Sequence, residues 1–372
     1  MKQKIKDLST PAVLIEKKVL VRNIKTMQQK ADCNGLHVYP HIKTHKSIYL
    51  AALQVKYGAK GLTAAKITEA LPFIKAGFPS VIIAYPLVEK QKIVRLLKVA
   101  QRHQCQLQLI IDSSAAFQAL AFALEKIKYP VRVSLKIDVG LHRCGFAPRD
   151  PHLVQMARQI LEHPRMELFS LLSHAGHCYG AKHQSAVQQI AEEELNQLKA
   201  IRKQLVKAGL PQLSFSIGAT PTLLSRTKFP KQVHSIRPGN YIFMDRTPLR
   251  LNLIKPTAIA LTVLATVISA NADFWILNVG SKQLSSDTGA HGIQGMEGFG
   301  LAYPEHDFLT KDTDLLIEKL SEEHAFLRKR PGVKLTIGQR LRILPNHSCV
   351  VMNLAKKWYL TKGSEVLQEM EG

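Results

Sequence analysis

Leu36-His37-Val38-Tyr39-Pro40-His41-Ile42-Lys43-Thr44-His45-Lys46 is followed by Ser47-Ile48-Tyr49-Leu50-Ala51-Ala52-Leu53. Leu36 to Tyr39 alternates apolar and polar residues as a strand does, and the residues from Lys46 onward read as a helix, so Lys43 falls on a connection from strand to helix. In α/β folds such connections carry the catalytic groups. A lysine held among other cations has its ammonium form disfavoured, which frees an amine to attack a carbonyl and form a Schiff base. Taken alone, a cluster of this kind reads as a solvated basic turn.

The same strand-to-helix alternation extends on both sides of this stretch. From residue 12 to about 245, strand candidates occur at Val13-Leu14-Ile15, His37 to Ile42, Gly61 to Ala64, Val81 to Tyr85, Leu107 to Asp112, Val131 to Asp138, Leu168 to His174, Phe215 to Ala219 and Ser235 to Tyr241. Helical runs separate them, most clearly Gln184 to Val206, where Val187, Ile190, Ala191, Leu195, Leu198, Ile201 and Leu205 share one face. Roughly eight parallel strands in repeated βα units predict a (β/α)8 TIM-like barrel. After Asp245 the pattern changes. Ala258 to Ile268, Phe274 to Val279, Val333 to Ile337, Arg340 to Leu344 and Val350-Val351-Met352 are β-rich with little helix between them. A barrel over 1–245 followed by a mainly β C-terminal domain over 246–372 is therefore the expected α/β architecture.

The composition suits one large domain or two. The chain has 372 residues, 46% hydrophobic and 21% charged, which excludes a disordered chain or a small stapled scaffold. Cys33, Cys105, Cys144, Cys178 and Cys349 are scattered, without a CxxC, so a reducing cytoplasm is the expected compartment. The start, MKQKIKDLST, has no apolar core of a secretory signal, and the longest apolar stretch, Thr257 to Ala270, is too short to span a bilayer. A soluble protein without a membrane partner is expected. The net charge of +23 raises nucleic acid as a partner, but the lysines are spread along the chain and aromatics are only 6%, a poor stock for base stacking. The charge reads instead as a solvated surface that attracts an anionic cofactor and substrate, with no nucleic acid.

His347 and Cys349 lie in Pro345-Asn346-His347-Ser348-Cys349. On an extended segment, side chains two residues apart leave on the same face, so an imidazole and a thiolate can share one divalent ion. Alone, such a pair reads as a buried histidine beside a structural cysteine. His174 and His177 have metal-like spacing too, but sit in a barrel segment better suited to lining a substrate pocket. Asp287, in Ser285-Ser286-Asp287-Thr288-Gly289, reads most simply as a turn-forming aspartate, and otherwise as a loop acid near the site.

Taken together, several segments resemble the pyridoxal-phosphate enzymes of the alanine racemase-like fold (fold type III), in the D-serine dehydratase and D-threonine aldolase branch. They are Thr10-Pro11-Ala12, PHIKTHK at 40–46, AYP at 84–86, KIDVGLHRCGF at 136–146, SHAGHCYG at 173–180, Gly218 to Pro221, RPGNYIFMD at 237–245 and PNHSC at 345–349. The resemblance implies that the first few residues join the β domain. It implies that Lys43, rather than His45 or Lys46, carries pyridoxal 5'-phosphate and removes the substrate Cα proton. Gly218, Thr220, Gly239 and Asn240 would supply phosphate donors, Arg143 would contact the phenolic oxygen, and Arg237 or Tyr179 would face the pyridine nitrogen. His347 and Cys349 would bind a divalent metal, zinc or manganese, with Glu323 and His324 as possible further neighbours.

The implied activity is a lyase acting on small β-hydroxy D-amino acids, with D-serine dehydration to pyruvate and ammonia as the specific expectation. A retro-aldol cleavage of D-threonine is the alternative, followed by racemisation or a non-enzymatic carrier of the cofactor. A cytoplasmic homodimer is the implied assembly.

Overall fold

Short runs dense in Val, Ile and Leu become strands along most of this chain, because branched side chains pack well on a pleated surface. The computed structural model describes residues 3–289, 296–305, 308 and 315–371. It divides into two units, one of Met27–Cys178 with Ser185–Gly239, the other of Met1–Thr26, Tyr179–Gln184 and Asn240–Gly372. Strand β1 (Ala12–Glu16) belongs to the second unit.

The first unit holds β2 (His37–Val38), β3 (Leu62–Ala64), β4 (Ser80–Ile83), β5 (Gln106–Ile111), β6 (Val131–Lys136), β7 (Met166–Leu172), β8 (Ser214–Ile217) and β9 (Val233–Ile236). They form an eight-stranded sheet in the order β2-β9-β8-β7-β6-β5-β4-β3, and every pairing is parallel. A parallel bridge between His41 and Thr63 ties the two ends of that order together, as a (β/α)8, TIM-like arrangement requires. Helices covering a parallel sheet bury both faces of its strands, and all four residues of β4 are accordingly buried. Part of the interior is polar but satisfied: Gln108 donates to Ser134 Oγ at 2.7 Å, and Ser134 and Ser170 share a 2.7 Å bond.

The second unit is built on β10 (Leu261–Ala270), β11 (Phe274–Leu277), β12 (Gly300–Pro304), β13 (Ile317–Leu320), β14 (Ala325–Arg328), β15 (Arg340–Pro345), β16 (Lys357–Lys362) and β17 (Glu365–Glu371), together with β1. The order is β13-β14-β11-β10-β1-β16-β17, with β15 paired to β10 and β12 to β15. Ile5, Leu8, Ala12 and Leu14 pack with Leu264 and Val366. The N-terminal strand is thus a central member of this sheet and not the first barrel strand, which the local sequence pattern suggested.

Two further expectations change. Val333 to Ile337 forms no strand: it follows a turn at Gly332, and Ile337 is 68% exposed, so no face is buried to drive pairing. Val350-Val351-Met352 lies in a helix, Ser348–Leu354. Tertiary contacts at the start of that helix outweigh the β preference of its valines. Among the described residues, no helix is long and apolar enough to cross a membrane.

Candidate active site

Parallel strands present all their C-terminal ends at one end of a barrel, where the chemistry of such folds is built. Lys43 lies there, in the 3-10 turn Ile42–Thr44 after β2. His41 Nδ1 accepts the Lys43 N–H at 3.4 Å, and His41 N–H donates to Pro238 O at 2.8 Å, which fastens the turn to the segment after β9. Burial, then the charges of Lys43, Arg237 and Arg143, hold the His41 imidazole well below its usual range, so the ring is neutral beside these cations. Lys46 is exposed, whereas Lys43 is half-buried.

His45 is buried and braces the turn. Its Nδ1 accepts from Ser47 N–H at 3.0 Å and its Nε2 meets Gln54 Oε1 at 3.2 Å, the pattern of a neutral ring protonated on Nε2. Burial lowers its pKa to about 4, against the opposing hydrogen bonds from Gln54 and Ser47. Because the folded value lies below the unfolded one, the unfolded chain binds more protons between pH 6.5 and about 4. This contribution to stability is complete above pH 6.5 and is lost as pH falls through the window, by about 3 kcal/mol. Urea unfolding at pH 7 and pH 4.5 should therefore show a loss in the wild type that shrinks in His45→Gln.

Gly218 and Thr220 follow β8, and Gly239 follows β9. A Cβ on Gly239 would stand 2.9 Å from Thr44 Oγ1, and one on Gly218 would stand 3.2 Å from Arg237 O. The hydroxyl of Thr220 is buried without a hydrogen-bond partner among the described residues. The Asn240 side chain is engaged elsewhere: its Nδ2 donates to Asp245 Oδ2 at 2.8 Å, and its Oδ1 accepts from Ser348 Oγ at 2.5 Å.

The loop after β6 carries Arg143. Asp138 Oδ1 accepts from Gly140 N–H at 3.1 Å and from His142 N–H at 3.0 Å. Gly145 closes the turn at φ 118, a conformation open to glycine, where a Cβ would lie 2.7 Å from Asp138 N. Arg237 is buried, with Nε donating to Ser216 Oγ at 2.9 Å and Nη2 to the carbonyls of Ser173 and Ser216. Tyr179 is half-buried in the 3-10 turn Gly176–Gly180. His174 Nδ1 donates to Gly218 O at 2.8 Å.

Two buried ionisable groups beside these residues escaped the sequence analysis. Lys136 ends β6 at 4% exposure, its pKa lowered to about 8 by burial and by Arg237 and Arg143, against Cys144 and Glu194. Glu194, on helix Gln184–Lys207, accepts from Ser173 Oγ at 2.6 Å. Its carboxyl is pushed up by burial and held down by Ser173, Arg237 and Lys136. A signal for it existed: Glu194 falls on the apolar stripe of its helix, where a carboxylate stays only with partners.

In the second unit, His347 Nδ1 lies 3.3 Å from Asp287 Oδ2, and the imidazole hydrogen-bonds Cys349. The two side chains meet for a reason other than the expected one. His347 has extended backbone, but Cys349 is already in the first turn of helix Ser348–Leu354. Asp287 therefore does more than shape a turn. Glu323 pairs with Lys282 at 2.8 Å, and His324 turns to Ser321. Among the described residues, no group of three or more His, Cys, Asp or Glu side chains converges as a metal cage.

Residues 15–247 match the family model described as "Alanine racemase, N-terminal domain", and residues 260–361 match "Putative serine dehydratase domain". The chain belongs to this family. D-threo-3-hydroxyaspartate dehydratase of Delftia sp. (strain HT23) is 32% identical over 94% of this chain and 93% of that protein. D-serine dehydratase of Dictyostelium discoideum is 28% identical over 96% of this chain and 94% of that protein. A solved structure of the Delftia enzyme gives a TM-score of 0.89 at 31% identity, covering 100% of this chain and 99% of that one. The chain is a pyridoxal-phosphate-dependent lyase of D-amino acids. A Cys→Ala variant of the hydroxyaspartate dehydratase is described as a metal-free form, which makes a metal part of the family's equipment.

The residues of the barrel unit fit the cofactor. An unpartnered threonine hydroxyl and two turns without side chains suit a phosphate, and a lysine among cations suits its aldehyde. The donor chemistry of His347 and Cys349, imidazole and thiol, fits a borderline-soft divalent ion with positions left open.

Proposed function

We propose that this enzyme dehydrates a β-hydroxy D-amino acid, with D-serine as its substrate and pyruvate and ammonia as products. The contact between the His347 imidazole and the Cys349 thiol carries this reading, because elimination must assist departure of a β-hydroxyl as well as removal of a Cα proton. When bound, pyridoxal phosphate supplies an electron sink at Cα, and a divalent ion held by His347 and Cys349 supplies a Lewis acid for the β-oxygen. Lys43 Nζ takes and holds the Cα proton. The cations Arg143, Arg237 and Lys136 draw in and counter the carboxylate and phosphate charges. Asp287, on His347 Nδ1, orients the imidazole so that Nε2 is the nitrogen left for the ion.

Relatives support this assignment. His→Ala and Cys→Ala variants of the hydroxyaspartate dehydratase have been solved, and the two altered positions stand two apart in that chain, as His347 and Cys349 do here. The 32% identity to the same enzyme favours D-threo-3-hydroxyaspartate as the second reading. D-serine, D-threo-3-hydroxyaspartate and D-threonine supplied to the zinc-loaded holoenzyme will separate the cases. A higher kcat/KM for pyruvate formation from D-serine supports the proposal. Faster oxaloacetate formation from hydroxyaspartate moves it to the second substrate, and glycine from D-threonine as the main product overturns dehydration in favour of aldol cleavage.

A further inference from the structure

His347 occupies the N-cap position of helix Ser348–Leu354, yet its side chain makes no capping hydrogen bond. An N-cap side chain ordinarily accepts a free N–H of the first turn. Here a carboxylate 103 positions away binds the helix start: Asp245 Oδ2 accepts from Ser348 N–H at 3.0 Å. The same oxygen accepts from Asn240 Nδ2 at 2.8 Å, while Oδ1 accepts from Thr247 N–H at 3.1 Å. Ser348 Oγ closes the ring by donating to Asn240 Oδ1. Asp245, Asn240 and Ser348 are 1%, 4% and 0% exposed.

The residue on the other side of His347 is held by the same segment. Thr247 Oγ1 donates to Asn346 O at 3.2 Å, and Arg246 Nη1 to Asn346 Oδ1 at 3.1 Å. Residues 245–247 thus bracket His347 from both neighbours, and Ser348, the residue between the imidazole and the thiol, is pinned by its N–H and its hydroxyl. A helix start held from outside releases the histidine side chain from capping, and it turns instead to Asp287 and Cys349.

We propose that Asp245 is the positioning residue of the His347–Cys349 pair, taking over the capping of the helix and presenting imidazole and thiol together to a divalent ion. The inference rests on the metal reading of that pair. Asp245 touches neither substrate nor cofactor in this role; it acts through its hydrogen bond to Ser348 and through its electrostatic pull on His347.

Zinc titrated into chelator-stripped protein, in competition with a chromophoric chelator, tests the proposal. Asp245→Asn keeps the side-chain shape and removes the charge, and should weaken zinc about 10–100-fold. Asn240→Ala removes one donor to the same oxygen and should give a smaller loss in the same direction; it decides the matter alone if Asp245→Asn does not fold. The rise in thermal midpoint on adding zinc should shrink in step with affinity. A merely structural role would lower the midpoints of stripped and loaded protein alike and leave the dissociation constant unchanged. Zinc affinity within threefold of wild type in both variants overturns the role of Asp245. Wild-type affinity in His347→Ala would instead sink the metal reading of the pair.

Discussion

Lys43→Ala is expected to leave a folded protein without measurable turnover. Proton removal by a positioned base is worth about 10²–10⁴-fold on its own, and covalent tethering of the cofactor is lost in addition. Lys43 is half-buried in a turn fixed by backbone bonds and by His41, so thermal unfolding of the variant should stay close to wild type. The absorbance of the bound cofactor is the second readout, because a lysine Schiff base and free aldehyde absorb differently. Lys46→Ala, at an exposed position, should retain both band and activity. Lys136 is the rival amine, since burial lowers its pKa to about 8. If Lys136→Met loses the band and Lys43→Ala keeps it, the lysine has been misassigned.

His347→Ala and Cys349→Ala should separate the two halves of the reaction. Loss of Lewis-acid assistance worth about 3 kcal/mol lowers the rate of dehydration about 10²-fold. Removal of the Cα proton needs Lys43 and the cofactor alone, so exchange of that proton in deuterated water should persist at a comparable rate. Pyruvate formation should fall with zinc content, and added zinc should not restore it. Dehydration at the wild-type rate in metal-free His347→Ala would rule out the metal-assisted mechanism. Loss of proton exchange together with pyruvate would place the pair in the earlier step.

Much of the barrel was legible because its strands are buried on both faces and alternate with amphipathic helices. Local pattern marked β2 to β9, and the long helix Gln184–Lys207 came within one residue of its expected end. Pattern did not tell which sheet a strand joins. Val13-Leu14-Ile15 looks like any barrel strand and reads as one; the family resemblance puts only the first few residues with the second sheet, where Leu14 also packs, on Leu264. Strands β12, β13, β14, β16 and β17 were missed; β12 and β14 pair with β15 and β11, far along the chain, while β13–β14 and β16–β17 are local hairpins.

The candidate site divides in the same way. Lys43 could be singled out from its place after a strand, whereas Arg143, Gly218, Thr220, Arg237 and Gly239 were named because their segments resemble those of the family. Glu194 and Lys136 were passed over because a charge in an apolar stripe has meaning only once its partners are known, here Ser173 and Arg237. Asp287 and Asp245 reach the His347 turn from distant stretches of chain.

By itself, then, the sequence determined the βα repeat, the cofactor lysine as a candidate and the spacing of the imidazole and the thiol, all properties of neighbouring residues. Tertiary structure decided that β1 serves the second sheet, that Val350-Val351-Met352 is helical and that a remote aspartate caps that helix. These outcomes depend on burial and on hydrogen bonds between residues tens to hundreds of positions apart. Hydrogen-bonding groups removed from water must find partners wherever the fold brings them, and local propensity of a few tenths of a kcal/mol yields to that demand.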